Sequence, residues 1–249
     1  MTTRPFDGQS AIITGASLGI GATTARMLAA QGANVTLCAR NEEALRAVAA
    51  ECCEAGGKAE VCVADVRSAE DMTAAVEVAT KQFGRIDIAI SNAGIARDNI
   101  FLRMTDDEWS SVIATNLTGA FNFARAVGRV MRKQKAGRLI FNASLAGLHG
   151  NANQANYAAS KGGMIAMAKS LAKEWLPYGV KVNCVCPGVI DTEMTRAYPE
   201  HLRVKGLEVM PMGRFGTPDE VAGVILFLAG PSGDYMTGKA IEIDGGIEI

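Results

Sequence analysis

The sequence predicts an α/β fold in which about seven parallel strands form a doubly wound sheet covered by helices on both faces. Short apolar segments alternate along the chain with longer segments of helical periodicity, and this alternation is typical of a parallel sheet with helices on both faces. A glycine-rich loop also follows the first apolar segment directly, at a position where such sheets bind ligands.

The apolar segments are predicted to be strands because several are hydrophobic almost throughout, as strands covered on both faces are. Between them, helical periodicity predicts six helices, of which the fourth is expected to contain a break. No low-complexity linker interrupts the 249 residues, so a single domain is expected. The predicted strands are residues 10–14, 34–39, 59–63, 86–91, 138–143, 180–186 and 239–243, and the predicted helices are residues 20–31, 42–55, 69–83, 106–133, 153–176 and 218–228.

The composition excludes several classes of protein. Lys and Arg number 25 against 26 Asp and Glu, with the signs interspersed, whereas a nucleic-acid-binding domain usually has a basic excess on one face. No apolar stretch approaches the roughly 18 residues that a membrane span needs, and the first residues lack the apolar centre of a secretory signal. A cytoplasmic protein is expected, with neither nucleic acid nor membrane as a partner.

The six cysteines lie mostly in apolar, strand-like segments and lack the spacing of zinc ligands. Buried, reduced thiols and no metal site are therefore expected. The cysteines are Cys38, Cys52, Cys53, Cys62, Cys184 and Cys186.

The segment Thr14-Gly-Ala-Ser-Leu-Gly-Ile-Gly21 joins the first predicted strand to the first predicted helix. Its glycines allow a sharp turn and a close approach to a pyrophosphate, whose charge then meets the free N–H groups of the helix N-terminus. A dinucleotide-binding loop requires this context, so the sequence predicts a Rossmann-type nucleotide site.

Tyr157 and Lys161 are separated by Ala, Ala and Ser in a helix-compatible segment, which makes them neighbours on one face. Reduction of a ketone by hydride builds negative charge on the carbonyl oxygen, so the site must supply hydrogen-bond donors and one proton. Tyr157 is the predicted general acid, and the ammonium of Lys161 is expected to lower its pKa. A second pair at this spacing, Tyr235 and Lys239, is interpreted as chance because Thr237-Gly238 interrupts any helix there.

Further motifs resemble those of short-chain dehydrogenases/reductases. The glycine spacing is similar to the T-G-x-x-x-G-x-G loop of that superfamily, and the likeness spans essentially the whole chain. Residues 108–116 and 153–157 look most like the 3-oxoacyl-acyl-carrier-protein reductases. The shared motifs are Asp65-Val66, Asn92-Ala93-Gly94, Asn116, Ser144, Tyr157-x-x-x-Lys161 and Pro187-Gly188.

The resemblance implies roles for individual residues. Lys161 would bind the nicotinamide ribose, Ser144 would donate to the substrate oxygen, and Asn116 would support a water-linked proton relay; with Tyr157 they are the predicted catalytic set. The residues expected to contact the cofactor are Gly15, Ser17, Leu18, Gly19, Ile20, Gly21, Arg40, Asp65, Val66, Asn92, Ala93, Gly94, Tyr157, Lys161, Pro187, Gly188, Ile190 and Thr192.

The end of the second predicted strand, Ala39-Arg40, indicates the cofactor. NAD-selective folds of this type carry an acid that accepts hydrogen bonds from the ribose 2′-hydroxyl, whereas an Arg accommodates a 2′-phosphate. Residue 39 is not acidic, and Arg40 can form a charge-assisted pair with a phosphate. NADPH/NADP+ is therefore expected in preference to NADH. Many relatives have an Arg where Leu18 stands, so only one evident cation is expected near the phosphate.

The resemblance implies a 3-oxoacyl thioester as substrate, carried by acyl carrier protein or coenzyme A, or a related β-keto compound. Family members meet the acidic carrier with basic residues; one such position resembles Lys135, but another is Tyr178 here. Residues 189–216 lack strong periodicity and are expected to form a mobile flap over the substrate, or else a helical pair that covers the core. The family also implies a homotetramer.

Two other functions remain open. One is a broad-specificity carbonyl reductase, or an alcohol or hydroxysteroid dehydrogenase that uses NAD; Arg40 without an acid at residue 39 disfavours that dehydrogenase. The other is a non-catalytic nucleotide sensor, which the complete set of four predicted catalytic residues disfavours because a sensor needs no proton donor.

Overall fold

The computed structural model describes residues 4–247, which contain a sheet of seven strands in the order β3-β2-β1-β4-β5-β6-β7. Every adjacent pair of strands is parallel. The predicted fold class is confirmed, and every predicted strand is present with small shifts at its ends. The strands are β1 (Ser10–Thr14), β2 (Asn34–Ala39), β3 (Lys58–Val63), β4 (Ile88–Ser91), β5 (Gly137–Asn142), β6 (Val180–Pro187) and β7 (Ala240–Ile243).

Helices cover both faces of the sheet, and the predicted helices are present. Side-chain caps fix the beginnings of several, such as Ser68, whose hydroxyl accepts from the Asp71 N–H. Among residues 4–247, none of the helices is long and apolar enough to cross a membrane. The helices are α1 (Gly19–Ala30), α2 (Glu42–Glu54), α3 (Ala69–Phe83), α4 (Asp106–Val112), α5 (Gly119–Gln134), α6 (Ala146–His149), α7 (Ala155–Trp175), α8 (Glu193–Arg196), α9 (Glu200–Glu208) and α10 (Pro218–Ala229).

Each face of the sheet buries its own apolar core. On one face α3, α5 and α7 contribute side chains such as Phe123 and Met164; on the other α1, α2 and α10 contribute side chains such as Leu28. Successive residues of a strand point to opposite faces, so Ile12 of β1 packs in the first core and Ile13 in the second. Both isoleucines are fully buried, which explains why the strand is apolar at consecutive positions.

The break expected within residues 106–133 is a π-helical turn, Ile113–Thr118, between α4 and α5. The Gly119 N–H bonds to the carbonyl of Ala114, five residues earlier. Such turns are rare and frequently lie at functional sites. This one contains Asn116, which is fully buried.

The sheet positions the site at the point where its strand order reverses. The chain runs outward in one direction from β1 to β3 and in the other from β4 to β7. In such sheets, ligands bind outside the carboxyl ends of the strands on either side of this reversal. The glycine loop follows β1 and Asn92 follows β4, so the two segments meet there.

Gly128 of α5 tests how closely α5 and α7 pack. A Cβ at this position would lie 2.5 Å from Cη2 of Trp175. We expect Gly128→Ala to lower the free energy of unfolding by about 1–3 kcal/mol, because the indole would have to move in a close-packed core.

Gly223 of α10 is the matched control, since no heavy atom lies within 4 Å of the Cβ that an alanine would add. Gly223→Ala should raise the free energy of unfolding by roughly 0.5–1 kcal/mol, because glycine is unfavourable within a helix. Urea unfolding measures both variants. Equal changes in the two would contradict the packing argument.

Candidate active site

Asn92 holds the glycine loop against the end of β4. Its Nδ2 donates to the carbonyl oxygens of Thr14 (3.2 Å) and Gly15 (3.0 Å), while Thr14 Oγ1 accepts from the N–H groups of Asn92 (3.0 Å) and Ala93 (3.2 Å). Gly15 has φ +64°, and a Cβ there would lie 2.8 Å from the Ala93 Cα. Glycine is therefore required at this position by both conformation and space.

Gly21 also allows close packing, because the start of α1 lies directly against the glycine loop. A Cβ at this position would lie 2.2 Å from the carbonyl oxygen of Gly15. Gly21 is buried in the first turn of α1 and does not line the nucleotide cavity described below. Its role is therefore to let the main chain of the loop approach α1.

Helix α1 begins without a side-chain cap. Its N-cap residue, Leu18, makes no capping hydrogen bond, and its first turn contains no acidic residue. The first N–H groups of the helix are thus available to an anion, and the helix dipole favours negative charge there. A pyrophosphate fits this arrangement, since the preceding glycines bring bare backbone to the same place.

A cavity of about 420 Å³, here called the nucleotide cavity, lies over the carboxyl ends of the strands. Asn142 Oδ1 is buried in its wall and has no hydrogen-bond partner among the described residues, so an acceptor is left for a ligand. The cavity brings together three predicted catalytic residues, Ser144, Tyr157 and Lys161. The other predicted cofactor residues that line it are Gly15, Ser17, Leu18, Gly19, Ile20, Arg40, Asp65, Val66, Asn92, Ala93, Gly94, Pro187, Gly188, Ile190 and Thr192.

The nucleotide cavity is also lined by residues that were not predicted from the sequence. Asn41 and Arg67 lie one and two residues beyond the predicted Arg40 and Asp65. Their position just after strand ends was the available signal, because ligands bind there in such sheets. The other unpredicted lining residues are Cys38, Ala39, Ala64, Ile95, Thr115, Asn142, Ala143, Met194 and Thr195.

Asp65 is held by Arg67 at one end of the nucleotide cavity. The guanidinium donates to both carboxylate oxygens, the shortest distance being 2.6 Å. These hydrogen bonds, with a smaller contribution from the charge of Arg40, lower the pKa of Asp65. Arg40 itself is exposed and makes no side-chain hydrogen bond or ion pair within residues 4–247. Its charge is therefore available at this end of the cavity.

Tyr157 is partly buried in the first turn of α7. Burial raises its pKa to about 12, a hydrogen bond with Ser144 acts in the opposite direction, and the charge of Asp98 raises the pKa further. The prediction that this pKa is lowered towards neutrality is wrong, because removal of the phenol from water raises it by more than the hydrogen bond with Ser144 lowers it. The lysine Nζ lies 5.5 Å from the centroid of the tyrosine ring. The phenol therefore keeps its proton at neutral pH.

Lys161 is buried, with 3% of its surface exposed. Its Nζ donates to the main-chain carbonyl of Asn142 at 2.7 Å. Burial lowers the pKa of Lys161 to about 8, because removal from water penalises the ammonium. The amine consequently titrates much closer to neutrality than an exposed lysine does.

Asn116 positions the loop after β4. Its Oδ1 accepts from the Ile95 N–H at 2.8 Å, and its Nδ2 donates to the Ile95 carbonyl at 3.0 Å and to Ser160 Oγ at 3.1 Å. A Cβ on the neighbouring Gly94 would lie 3.3 Å from this Oδ1. The side chain is thus occupied by hydrogen bonds and, unlike the other three predicted catalytic residues, does not line the nucleotide cavity.

A second cavity of about 540 Å³, here called the outer cavity, shares Ser144 and Tyr157 with the nucleotide cavity. Asp98 lies in its wall and accepts hydrogen bonds from the Tyr198 hydroxyl at 2.6 Å and from Gln154 Nε2 at 2.8 Å.

Within the described part of the chain, no group of three or more His, Cys, Asp or Glu side chains is arranged to hold a metal ion.

The segment 189–216 contains α8 and α9 and returns to its starting point. Ile190 and Gly216 form a parallel bridge, in which the Asp191 N–H donates to the Gly216 carbonyl and the Gly216 N–H to the Val189 carbonyl. Residues from both helices line the outer cavity. The helical pair that was one alternative for this segment is therefore present, and it forms one wall of the outer cavity.

Comparisons with known proteins agree with this geometry. A family model described as enoyl-(acyl carrier protein) reductase matches residues 15–248. Curated proteins named 3-oxoacyl-[acyl-carrier-protein] reductase FabG are 42% identical in Thermotoga maritima over 244 residues (98% of this chain and 99% of that protein) and 43% identical in Vibrio harveyi over 242 residues (97% and 98%).

Solved structures show the same architecture. Levodione reductase superimposes with a TM-score of 0.94 at 33% identity, covering 97% of this chain and 98% of that one. The protein gox2181 superimposes with a TM-score of 0.95 at 36% identity, covering 98% and 97%. The likeness extends over nearly the full length of each relative. The chain therefore belongs to the short-chain dehydrogenase/reductase family of nicotinamide-dependent oxidoreductases.

Proposed function

We propose that this protein uses NADPH to reduce the ketone of a 3-oxoacyl thioester, or of a related β-keto compound, to a secondary alcohol. One observation carries the proposal: Ser144 and Tyr157 line both the nucleotide cavity and the outer cavity. Hydroxyl groups in a shared wall can serve a substrate carbonyl on one side while the cofactor lies on the other. The names of the curated relatives supply the substrate class.

Tyr157 acts as the proton donor in this proposal. When bound, the nicotinamide supplies the hydride that reduces the carbonyl carbon. Negative charge then develops on the substrate oxygen, where hydrogen-bond donors lower the barrier. With a pKa near 12 the phenol of Tyr157 holds its proton at neutral pH, yet it is a stronger acid than the alcohol that forms. Ser144 Oγ accepts from the Ala146 N–H at 3.2 Å, which fixes the hydroxyl while leaving its hydrogen to donate.

Lys161 and Asn116 support this step. We assign Lys161 to the nicotinamide ribose, because its buried amine lines the nucleotide cavity beside Tyr157. Asn116 is assigned a positioning role through its hydrogen bonds to Ile95. The water-linked relay implied by the family would then use the irregular backbone of the π-helical turn, since the side-chain amide is already engaged.

The preference for NADPH rests on the charges at the adenosine end of the nucleotide cavity. Arg40 is the unpaired cation there, and Arg67 brings a second guanidinium to the same wall. Arg67 donates to both carboxylate oxygens of Asp65, so it also offsets the negative charge that would repel a 2′-phosphate. The glycine loop and the N-terminus of α1 would hold the pyrophosphate.

A carrier protein as the source of the acyl group is supported by a basic surface. Tyr178 replaces a basic residue of the family, but the guanidinium of Arg132 lies over its ring, 4.3 Å from the centroid. Lys135, the residue after α5, lies beside this pair, since a Cβ on Gly179 would lie 2.5 Å from its carbonyl oxygen. Positive charge is thus retained where an acidic carrier would bind.

Four broader expectations belong to the same proposal. The chain forms a single domain, and residues 189–216 act as a flap that moves when ligands bind. A homotetramer in the cytoplasm follows from the family resemblance. Exposed aromatic side chains on α4 and α5, Trp109 and Phe121, support association between copies of the chain.

The function is tested by following NADPH oxidation with acetoacetyl thioesters of carrier protein and coenzyme A, a crotonyl thioester, a free β-ketoester and an aromatic ketone. We expect the acetoacetyl thioesters to react fastest. Tyr157→Phe should lower kcat by about 10²–10⁴-fold, because the proton donor is lost, while fluorescence titration shows unchanged NADPH binding. Normal turnover by Tyr157→Phe, or a preference for the crotonyl thioester, would overturn the proposal.

The role of Arg40 is tested by comparing dissociation constants for NADPH and NADH. Arg40→Ala should weaken NADPH binding by about 10- to 100-fold, because a charge-assisted pair with phosphate is worth roughly 1.5–3 kcal/mol, and should leave NADH binding unchanged. Arg46→Ala is the matched control, since Arg46 pairs with Glu42 on α2 and does not line the cavity. An equal loss for both nucleotides would exclude a contact with the 2′-phosphate.

The burial of Lys161 has a measurable thermodynamic signature. Its pKa of about 8 in the fold lies below the ordinary value of 10.5, so between these pH values the unfolded chain binds more protons and stability rises with pH. We expect the free energy of unfolding of the wild type, relative to Lys161→Met, to increase by roughly 2–3 kcal/mol from pH 7 to pH 10.5. Urea titrations of both proteins measure it. A constant difference would mean that the amine does not titrate in this window.

A further inference from the structure

Cys38 and Cys62 lie opposite each other on the adjacent parallel strands β2 and β3. Neighbouring strands are about 4.8 Å apart, which lies within the Cα separation of about 4.4–6.8 Å that disulfides span. Both side chains pack in the core on the same face of the sheet, and each thiol shifts the pKa of the other. β3 is an edge strand, so it can adjust its position without displacing a neighbour on its other side.

The two thiols differ in exposure and in surroundings. Cys62 is partly exposed, whereas Cys38 is buried and lines the nucleotide cavity. The interaction between the two thiols lowers the pKa of Cys62 and raises that of Cys38. Burial and the Asp71 and Glu60 carboxylates oppose the lowering at Cys62. Cys62 is thus the thiol that meets solvent and reacts first, since reactivity follows thiolate character and access.

We propose that Cys38 and Cys62 form a reversible disulfide that controls nucleotide binding, with hydrogen peroxide as the oxidant. The Cys62 thiolate attacks one peroxide oxygen, the O–O bond breaks, and a sulfenic acid and hydroxide result. Cys38 then attacks the sulfenic sulfur, the S–O bond breaks, and the second hydroxide leaves. With the two thiol protons the hydroxides give two molecules of water, so the sulfurs are oxidised by two electrons and the peroxide is reduced.

The disulfide acts on the nucleotide cavity because of where the strands end. Arg40 lies two residues after Cys38, and Asp65 lies three residues after Cys62. Formation of the S–S bond brings the two sulfurs to bonding distance, which moves the Cys38 side chain and restrains the loops that follow β2 and β3. Cys38 and residues of both loops line the cavity. The oxidised protein therefore binds the adenosine end of the cofactor less well. This inference rests on the proposed cofactor site but not on the identity of the substrate.

The test uses the full chain, treated with equimolar hydrogen peroxide and then freed of oxidant. Mass spectrometry of peptides without reduction should find residues 38 and 62 linked with the loss of two hydrogen atoms. Fluorescence titration should give a dissociation constant for NADPH raised by about fivefold to tenfold. Dithiothreitol should remove the link and restore the original dissociation constant. The Cys62→Ser variant should form no link, and after peroxide treatment it should bind NADPH as tightly as the reduced wild type does. Cys53→Ser, at an exposed cysteine of α2, should respond as the wild type does.

Three results would overturn the inference: oxidation of Cys62 without a link to Cys38, a link that leaves NADPH affinity unchanged, or an affinity loss that persists in Cys62→Ser. A failure of the proposed function is distinguishable, because the reduced wild type would then bind no NADPH or reduce no ketone, whereas the peptide link is measured without either.

Discussion

The site depends on a chain of hydrogen bonds that ties the catalytic helix to the glycine loop. Lys161 Nζ donates to the carbonyl of Asn142, the side-chain amide of Asn142 donates to Asn92 Oδ1 at 2.8 Å, and Asn92 donates to the carbonyls of Thr14 and Gly15. This chain crosses β5, β4 and β1, and its members are largely buried, so each bond is shielded from competing water. The glycine loop and helix α7 are thereby fixed relative to each other.

This chain of hydrogen bonds requires Lys161 to be buried, and burial of its ammonium lowers the stability of the fold. An ammonium taken from water costs free energy unless it is well paired, and the lowered pKa of Lys161 expresses that cost. A glycine allows this close packing around Lys161, since a Cβ on Gly147 would lie 2.7 Å from the main chain of Lys161. Such a compromise is expected at functional sites, where stability is given up for chemistry.

The sequence was sufficient for the fold and for most of the cavity wall, because strand–helix alternation and loops at strand ends are local signals. It was insufficient where contacts join distant parts of the chain. Asn142 was missed because its role lies in a main-chain carbonyl and in an amide that meets Asn92, and neither leaves a motif. The π-helical turn at Asn116 could be predicted only as a break, since its register depends on tertiary packing around Ile95.

The surroundings of Tyr157 determine the protonation state of its phenol. Oxidation of an alcohol needs a phenolate to accept a proton, and burial together with the charge of Asp98 disfavours that form. Asp98 is itself fixed by Tyr198 and Gln154 in the outer cavity, so its charge is held near the phenol by the N-cap residue of α7 and by the segment 189–216. A protonated phenol is the form that reduction consumes. The electrostatics of this wall therefore keep the phenol in its proton-donating form at neutral pH.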